Sequence, residues 1–221
     1  MENALILGAS GGIGAALAAA LETTGTRVTC LSRSADGFDV TDEASVAAHL
    51  GALDPGFDLI FCATGGLQIG DHGPEKALSQ LTPEAMAAQY ALNCIGPAMM
   101  LKHSTRLLPR DRPARFAALS ARIGSIGDNR LGGWTSYRAA KAALNQVIRC
   151  GAVELGRTHP QATCVALHPG TVATDLTRKY LGRHPSVSPE EAAQRLLSVL
   201  AGLTAADSGG FFDQHGTPVP F

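Results

Sequence analysis

The sequence contains little that would favour a nucleic acid or a membrane as partner. Only 5% of its 221 residues are aromatic, and the formal net charge is −1. Such a balanced charge gives no electrostatic basis for binding nucleic acid. No apolar run approaches the roughly 20 residues that cross a bilayer, and no basic region precedes the short apolar stretch near the N-terminus. We therefore expect no nucleic-acid partner, no membrane association and a cytoplasmic location.

Cysteines are few and lack the spacing of a metal site. The five are Cys30, Cys62, Cys94, Cys150 and Cys164. No C-x-x-C pair or Cys/His cluster occurs. We expect reduced thiols, mostly buried, and no bound metal.

Apolar, β-prone runs alternate with longer helical patterns along the chain. Predicted strands cover residues 4–7, 27–31, 57–62, 115–120, 163–167 and 210–212, with a further short strand at 38–40. Predicted helices cover residues 13–23, 43–50, 83–107, 135–157 and 189–203. This alternation predicts an α/β fold, a doubly wound parallel sheet with helices on both faces. No linker, repeat or low-complexity stretch divides residues 1–221, so we expect a single domain.

Only residues 34–38 separate Arg33, just past the second predicted strand, from Asp39. This connection is too short for a full crossover helix. We therefore expect one helix of the usual doubly wound pattern to be lost or reduced to a loop.

A glycine-rich turn follows the first predicted strand and opens the first predicted helix. It reads Gly8-Ala9-Ser10-Gly11-Gly12-Ile13-Gly14, with the spacing G-x-x-x-G-x-G. Glycine lets the backbone turn tightly and approach a ligand closely. The free N–H groups at a helix start favour an anion. The turn therefore predicts a nucleotide-binding site, in particular one for a dinucleotide, with contacts from Gly8, Ser10, Gly11, Gly12, Ile13 and Gly14.

Tyr137 and Lys141 lie four residues apart in a predicted helix and share one face. A tyrosine with a pKa of about 10 exchanges protons poorly at neutral pH. A nearby ammonium group favours the phenolate and lowers that pKa. The pair is therefore a candidate for acid–base chemistry.

Four spaced motifs together resemble those of the short-chain dehydrogenase/reductase family. They are Gly8-x-x-x-Gly12-x-Gly14, Asn93 in Leu92-Asn93-Cys94-Ile95-Gly96, Tyr137-x-x-x-Lys141, and Pro169-Gly170-x-Val172-x-Thr174. Their order and intervals match the family over nearly the whole chain. Residues 119–145 and 207–212 are most similar to the C-factor and carbonyl reductase-like members.

The resemblance implies a Rossmann-type fold and a role for each motif. Tyr137 would protonate a carbonyl oxygen while hydride arrives from a nicotinamide. Lys141 would lower the tyrosine pKa and hold the cofactor ribose, and Asn93 would organise a water molecule in a proton relay. Pro169-Gly170 would lie beside the nicotinamide, with Thr174 near its carboxamide.

The family's catalytic serine has three possible counterparts here. Ser120 ends the predicted strand, which is the expected structural place, and we favour it. Ser125 has nearly the family's interval to Tyr137 but lies past the strand. Alignment on Gly124 puts Ala121 at the position, which leaves no serine in the role.

The resemblance also locates the rest of the cofactor site. The second predicted strand ends at Ser32-Arg33, where NAD-binding folds usually place an acidic residue. A guanidinium can bind a 2′-phosphate through charge-assisted bonds, which favours NADP(H) over NAD(H). Asp39-Val40 would lie beside the adenine. Ala63-Thr64-Gly65 stands where the family carries Asn-Ala-Gly.

The function implied is that of an NADPH-dependent reductase of a small ketone or aldehyde, or of an alcohol dehydrogenase running in reverse. A signalling protein that keeps the cofactor fold, as C-factor does, is the alternative. A nucleotide-sugar epimerase is disfavoured by the glycine spacing and by the chain length. The resemblance implies that residues 175–188 form a substrate lid. This stretch contains Arg178, Lys179, Arg183 and His184, which either favour an acidic substrate or, as we prefer, form a solvated loop.

The predicted helices 83–107 and 135–157 are apolar on more than one face. A helix on a sheet needs one apolar stripe, so a second subunit could cover the rest. We expect a homodimer or homotetramer paired through these helices, with a monomer as the alternative.

Overall fold

Six parallel strands form one sheet in the computed structural model, which describes residues 1–182 and 185–221. The strands are β1 (Asn3–Leu7), β2 (Arg27–Leu31), β3 (Leu59–Cys62), β4 (Ala114–Leu119), β5 (Ala162–His168) and β6 (Phe211–Asp213). Their order across the sheet is β2-β1-β3-β4-β5-β6. The chain winds outward from β1 to β2 and then in the opposite direction from β3 to β6. This reversal opens a crevice at the carboxyl ends of β1 and β3, where such sheets bind ligands.

Helices cover both faces of this sheet. They are α1 (Gly12–Thr23), the single turn α2 (Arg33–Asp36), α3 (Glu43–Gly51), α4 (Pro83–Tyr90), α5 (Gly96–Ser104), α6 (Thr135–Thr158) and α7 (Pro189–Gly202). Side chains of α1 and α7 pack with alternate strand residues on one face. Side chains of α3, α5 and α6 pack with the remaining strand residues on the other face. The predicted Rossmann-type, doubly wound sheet is confirmed.

The predicted strand at residues 38–40 is wrong. Gly37 has a φ of 71° and ends the single turn α2, so the chain folds back. The N–H of Phe38 then donates to the carbonyl of Ser32 at 3.2 Å, and the Phe38 ring is buried in the core. The segment is therefore a turn that closes over the end of β2. The expected short connection after β2 contains only the single turn α2. The helix α3 then crosses from β2 to β3.

The single helix predicted over residues 83–107 is interrupted. A π-helical turn, Ala91–Ile95, separates α4 from α5, and a 3-10 turn follows at Thr105–Leu107. Pro97 lacks an N–H and cannot bond to the carbonyl of Asn93, four residues earlier. A π turn relieves this break and is frequent at functional sites. The sequence contained the signal, since Pro97 lies inside the predicted helix.

The expected subunit contact stays a prediction. Ile95 and Val153 lie on the interrupted helix and on α6, and they are 49% and 53% exposed.

Within the described part of the chain, no helix combines the length and apolar character that a membrane span requires.

Candidate active site

Two adjoining cavities form one cleft along the carboxyl ends of the strands. The nucleotide end has a volume of about 290 Å³ and the tyrosine end about 500 Å³. Both ends are lined by Ser10, Gly11, Ala63, Thr64 and Gly65. The cleft therefore lies over β1 and β3, at the reversal of strand order.

The glycine turn brings backbone to the floor of this cleft. Gly8 has a φ of 91°, in the left-handed region that favours glycine. A Cβ on Gly14 would lie 2.3 Å from the carbonyl oxygen of Gly8, so no side chain fits there. Gly11 is the N-cap of α1, and this residue has no side chain to cap the first N–H groups. The open helix start fits a pyrophosphate, as the sequence predicts.

Tyr137 and Lys141 both line the tyrosine end, from the first turns of α6. The Nζ of Lys141 lies 5.8 Å from the centroid of the Tyr137 ring. The same Nζ donates to the carbonyl of Leu119 at 2.8 Å, which ties α6 to the end of β4. The two side chains are 8% and 2% exposed. The helical spacing therefore brings a phenol and an ammonium together in a largely dry pocket.

Burial shifts the pKa values of both groups. It lowers the pKa of Lys141 to about 8, so the amine is largely charged at neutral pH. It raises the pKa of Tyr137, because a phenolate loses hydration in the pocket. The expected lowering of the Tyr137 pKa by Lys141 is not found. Loss of solvation outweighs the attraction of the neighbouring cation there.

Asn93 is fully buried in the π turn and contacts the chain that follows β3. Its Nδ2 donates to the carbonyl of Gly66 at 2.9 Å and to Oε1 of Gln89 at 2.7 Å. Its Oδ1 accepts from the N–H of Gly66 at 3.1 Å. Both amide protons are therefore used, and the side chain fixes the π turn against the cleft. Sequence reasoning missed Gln89, although its interval of four residues from Asn93 was the available signal.

The two candidate serines lie in different places. Ser120 lines the tyrosine end of the cleft, and its Oγ donates to Oδ1 of Asn145 on α6 at 2.7 Å. Ser125 is also buried, and its Oγ accepts from the N–H of Asp128 at 3.1 Å. It lines a separate cavity of about 680 Å³ on the outer side of α6. The structure thus brings Ser120, not Ser125, into the cavity of Tyr137.

Residues at the end of β2 line the nucleotide end. Ser32, Arg33, Asp39 and Val40 all contribute to this cavity. The Ser32 hydroxyl caps α2 by accepting from the N–H of Ala35 at 3.2 Å. Hydrogen bonds from Thr41 lower the pKa of Asp39, so its carboxylate is charged at neutral pH. The cavity therefore carries one cation and one anion from these residues.

Residues after β5 close the tyrosine end. Pro169 and Thr174 line the cavity, whereas Val172 is buried beneath it. Gly170 has a φ of 78°, and a Cβ there would lie 3.2 Å from the side chain of Gln214. Gly170 and Val172 therefore support the loop instead of facing the cleft.

The expected basic loop is partly compensated. Arg178 pairs with Asp175, and the Nζ of Lys179 donates to Oε1 of Gln68 at 2.9 Å. Arg183 and His184 lie outside the described residues. The described part of this loop therefore offers less free positive charge than its sequence indicates.

Sequence reasoning gave no role to three residues at the start of α6 or bound to it, which are Glu75, Trp134 and Ser136. The buried carboxylate of Glu75 accepts from the N–H of Ser136 at 3.3 Å and from its hydroxyl. The ring of Trp134 lies edge-on to that of Tyr137, with centroids 6.5 Å apart. The pair Gly132-Gly133 before Trp134 was the available signal for an unusual turn.

Comparisons with known proteins identify the family of this chain. Residues 8–199 match the family model described as enoyl-(acyl carrier protein) reductase. The chain belongs to the short-chain dehydrogenase/reductase family of oxidoreductases.

Particular relatives include an enzyme and a signal protein. The 1-hydroxy-2-glutathionyl-2-methyl-3-butene dehydrogenase of Rhodococcus sp. (strain AD45) is 32% identical over 98% of each chain. The C-signal of Myxococcus xanthus is 34% identical over 66% of this chain and 84% of its own length. Carbonyl reductase Sniffer of D. melanogaster has the same fold, with a TM-score of 0.85 at 22% identity over the full length of both chains.

The burial of Lys141 predicts a pH-dependent stability. A pKa lowered from 10.5 to about 8 corresponds to roughly 3 kcal/mol at about 1.4 kcal/mol per pH unit. Below pH 8 the folded and unfolded chains both carry the charge, and the cost is full. Between pH 8 and 10.5 the folded chain loses its proton first, so the cost fades. The stability advantage of Lys141→Met over the unmodified protein should therefore fall by up to about 3 kcal/mol as the pH rises through this window.

Urea unfolding without cofactor at pH 7 and pH 10.5 measures the difference. Lys102→Met is the control, because Lys102 is 59% exposed and should show little such trend. A stability difference for Lys141→Met that is the same at both pH values would contradict the burial argument.

Proposed function

We propose that the chain is an NADP(H)-dependent oxidoreductase that transfers hydride between the nicotinamide and a carbonyl or alcohol carbon. The continuous cleft carries this proposal, since it joins the glycine turn to the Tyr137–Lys141 pair. A pyrophosphate at the start of α1 would leave the rest of a dinucleotide to extend toward both ends. The nicotinamide, when bound, supplies or accepts the hydride.

The residues of the chain supply the proton and the dry surroundings. The Tyr137 hydroxyl, at the wall of the tyrosine end, would give its proton to the carbonyl oxygen. The raised pKa keeps that proton in place until a partner arrives. The ammonium of Lys141 lies close enough to the ring to stabilise the phenolate that remains. In the alcohol direction the same groups would act in reverse.

Asn93 would contribute through its main chain. Its side-chain protons are taken by Gly66 and Gln89, so they are not available to a water molecule. Its carbonyl has no partner four residues on, because Pro97 lacks an N–H. We propose that this carbonyl holds the water through which Lys141 exchanges protons with solvent.

Ser120 is the proposed polariser of the carbonyl oxygen. Its proton now goes to Oδ1 of Asn145, and the Nδ2 of Asn145 is buried without a partner among the described residues. An amide turned by half a rotation would donate Nδ2–H to Ser120 and release the hydroxyl proton toward a substrate. The role therefore depends on the orientation of one buried amide.

The substrate proposal starts from the full-length relative. The Rhodococcus dehydrogenase is named for an alcohol that carries a glutathionyl group, and it matches 98% of this chain. A turnover panel of ketones, aldehydes and a glutathionyl alcohol, with NADP(H) and NAD(H), tests the proposed function.

The similarity to C-signal favours a second candidate, a signalling protein with little catalysis. Cofactor binding without turnover of any panel member would support that candidate instead.

Arg33 tests the cofactor preference. Loss of one charge-assisted phosphate contact costs on the order of 1.5–3 kcal/mol, so Arg33→Ala should weaken NADPH binding roughly 10- to 150-fold. NADH lacks the 2′-phosphate, and its binding should change little. Titration of both cofactors measures the effect, with Arg27→Ala at the other end of β2 as the control. Equal affinities for both cofactors in the unmodified protein would refute the preference.

Tyr137→Phe tests the proton donor. The change removes the phenolic proton and keeps the ring, so turnover should fall by roughly 100-fold or more. NADPH affinity should stay within a few-fold, as measured by fluorescence titration. Turnover near the original rate would show that another group gives the proton.

The serines are compared through Ser120→Ala and Ser125→Ala. If Ser120 polarises the carbonyl, its loss should lower turnover by about 100-fold, as for other lost oxyanion donors. Ser125→Ala should do much less, because Ser125 faces a different cavity. The opposite ranking would assign the role to Ser125, and two nearly silent variants would exclude both.

A further inference from the structure

Trp134 has an unusual backbone conformation. Among the described residues it is the one non-glycine residue with a positive φ, at 54°. Gly132 and Gly133 before it also lie in the left-handed region, at 63° and 65°. A bulky residue is an outlier there, and it persists only where its surroundings hold it. The turn into α6 therefore stores strain three residues before Tyr137.

The loop after β3 holds this turn in place. The N–H of Trp134 donates to the carbonyl of Glu75 at 2.6 Å, and the carbonyl of Trp134 accepts from the N–H of Arg138 at 2.9 Å. The carboxylate of Glu75 binds the N–H and the hydroxyl of Ser136. Glu75 and Ser136 are 5% and 1% exposed, which is unusual for a carboxylate. Glu75 therefore fixes Trp134 through its main-chain carbonyl and Ser136 through its carboxylate. These two residues flank Thr135 in the segment that leads to Tyr137.

The effect of this arrangement is to place an aromatic ring beside the reacting group. The centroids of the Trp134 and Tyr137 rings lie 6.5 Å apart at an interplanar angle of 65°, and Trp134 as a residue is partly exposed. A left-handed turn by itself is met with least strain by glycine, as at Gly132 and Gly133. A tryptophan at this position is thus better explained by its ring than by the turn.

We propose that Trp134 is a specificity-determining wall that binds a planar aromatic or conjugated group of the substrate, and that Glu75 is its positioning residue. The proposal rests on the proposed function, because Tyr137 there marks the reacting carbon. The substrate class is then a carbonyl compound with an unsaturated group next to the carbonyl. Such a group would meet the indole face or edge when the carbonyl oxygen lies at Tyr137.

Two ketones of similar size test the wall. Acetophenone carries a planar ring, and cyclohexyl methyl ketone carries a saturated one. An aromatic contact favours the planar ring by roughly 2- to 10-fold in kcat/KM. The ratio of kcat/KM for the two ketones should fall by that factor in Trp134→Asn, since asparagine tolerates the left-handed region. Trp134→Phe should keep most of the ratio.

Glu75→Gln tests the positioning role. It should lower the same ratio and shift the tryptophan emission, because Trp134 is the sole tryptophan of the chain. Leu131→Ala is the control, since Leu131 lies three residues before Trp134 in the loop between β4 and α6 and is 92% exposed. It should leave both readouts unchanged. An unchanged ratio in folded Trp134→Asn would overturn the wall, and an unchanged ratio and emission in Glu75→Gln would overturn the positioning role.

Equilibrium binding separates this inference from the proposed function. Acetophenone should quench the Trp134 fluorescence of the unmodified, NADP⁺-loaded protein more than cyclohexyl methyl ketone does. Quenching without turnover of either ketone would support the wall and count against the oxidoreductase. Turnover of both ketones without selective quenching would overturn the wall and leave the oxidoreductase standing. This measurement needs no variant, so it decides the matter even if Trp134→Asn fails to fold.

Discussion

A buried ammonium group holds the candidate active site together. Lys141 extends from α6 to the carbonyl of Leu119, the last residue of β4, at 2.8 Å. A Cβ on Gly124 would lie 2.8 Å from the Cβ of Lys141, so the loop after β4 also packs closely on this side chain. Burying the charge costs stability, and this hydrogen bond reduces that cost without removing it. The helix that carries the chemistry is therefore fixed to the strand that ends beside it.

Three separate parts of the chain converge on that helix. The glycine turn after β1 forms the floor of the cleft, and the Asn93 side chain fixes the π turn to the chain after β3. The Glu75 loop holds the entry to α6. Each contact joins residues far apart in sequence, and each ends at the carboxyl edge of the parallel sheet. The reversal of strand order between β1 and β3 is the reason that they meet.

The two wrong secondary-structure predictions have the same physical cause, which is a single glycine or proline that interrupts an apolar segment. Residues 38–40 have the composition of a strand, but the left-handed Gly37 turns the chain back before it can pair. The helix over 83–107 has the right periodicity, but Pro97 breaks one hydrogen bond inside it. Both signals are local and readable, and in both segments the apolar pattern outweighed them. By contrast, the bond between Ser120 and Asn145 joins a strand end to a helix and leaves no local trace.

The sequence by itself determined the layered fold, the anion-binding turn and the pairing of Tyr137 with Lys141. Alternating apolar periods, glycine spacing and an interval of four residues are local patterns with local consequences. Tertiary structure alone decided the protonation of that pair and the cavity that each serine faces. It also brought Glu75 to Ser136, 61 residues away. Solvation and hydrogen-bond partners depend on which distant segments exclude water, and no interval along the chain encodes that.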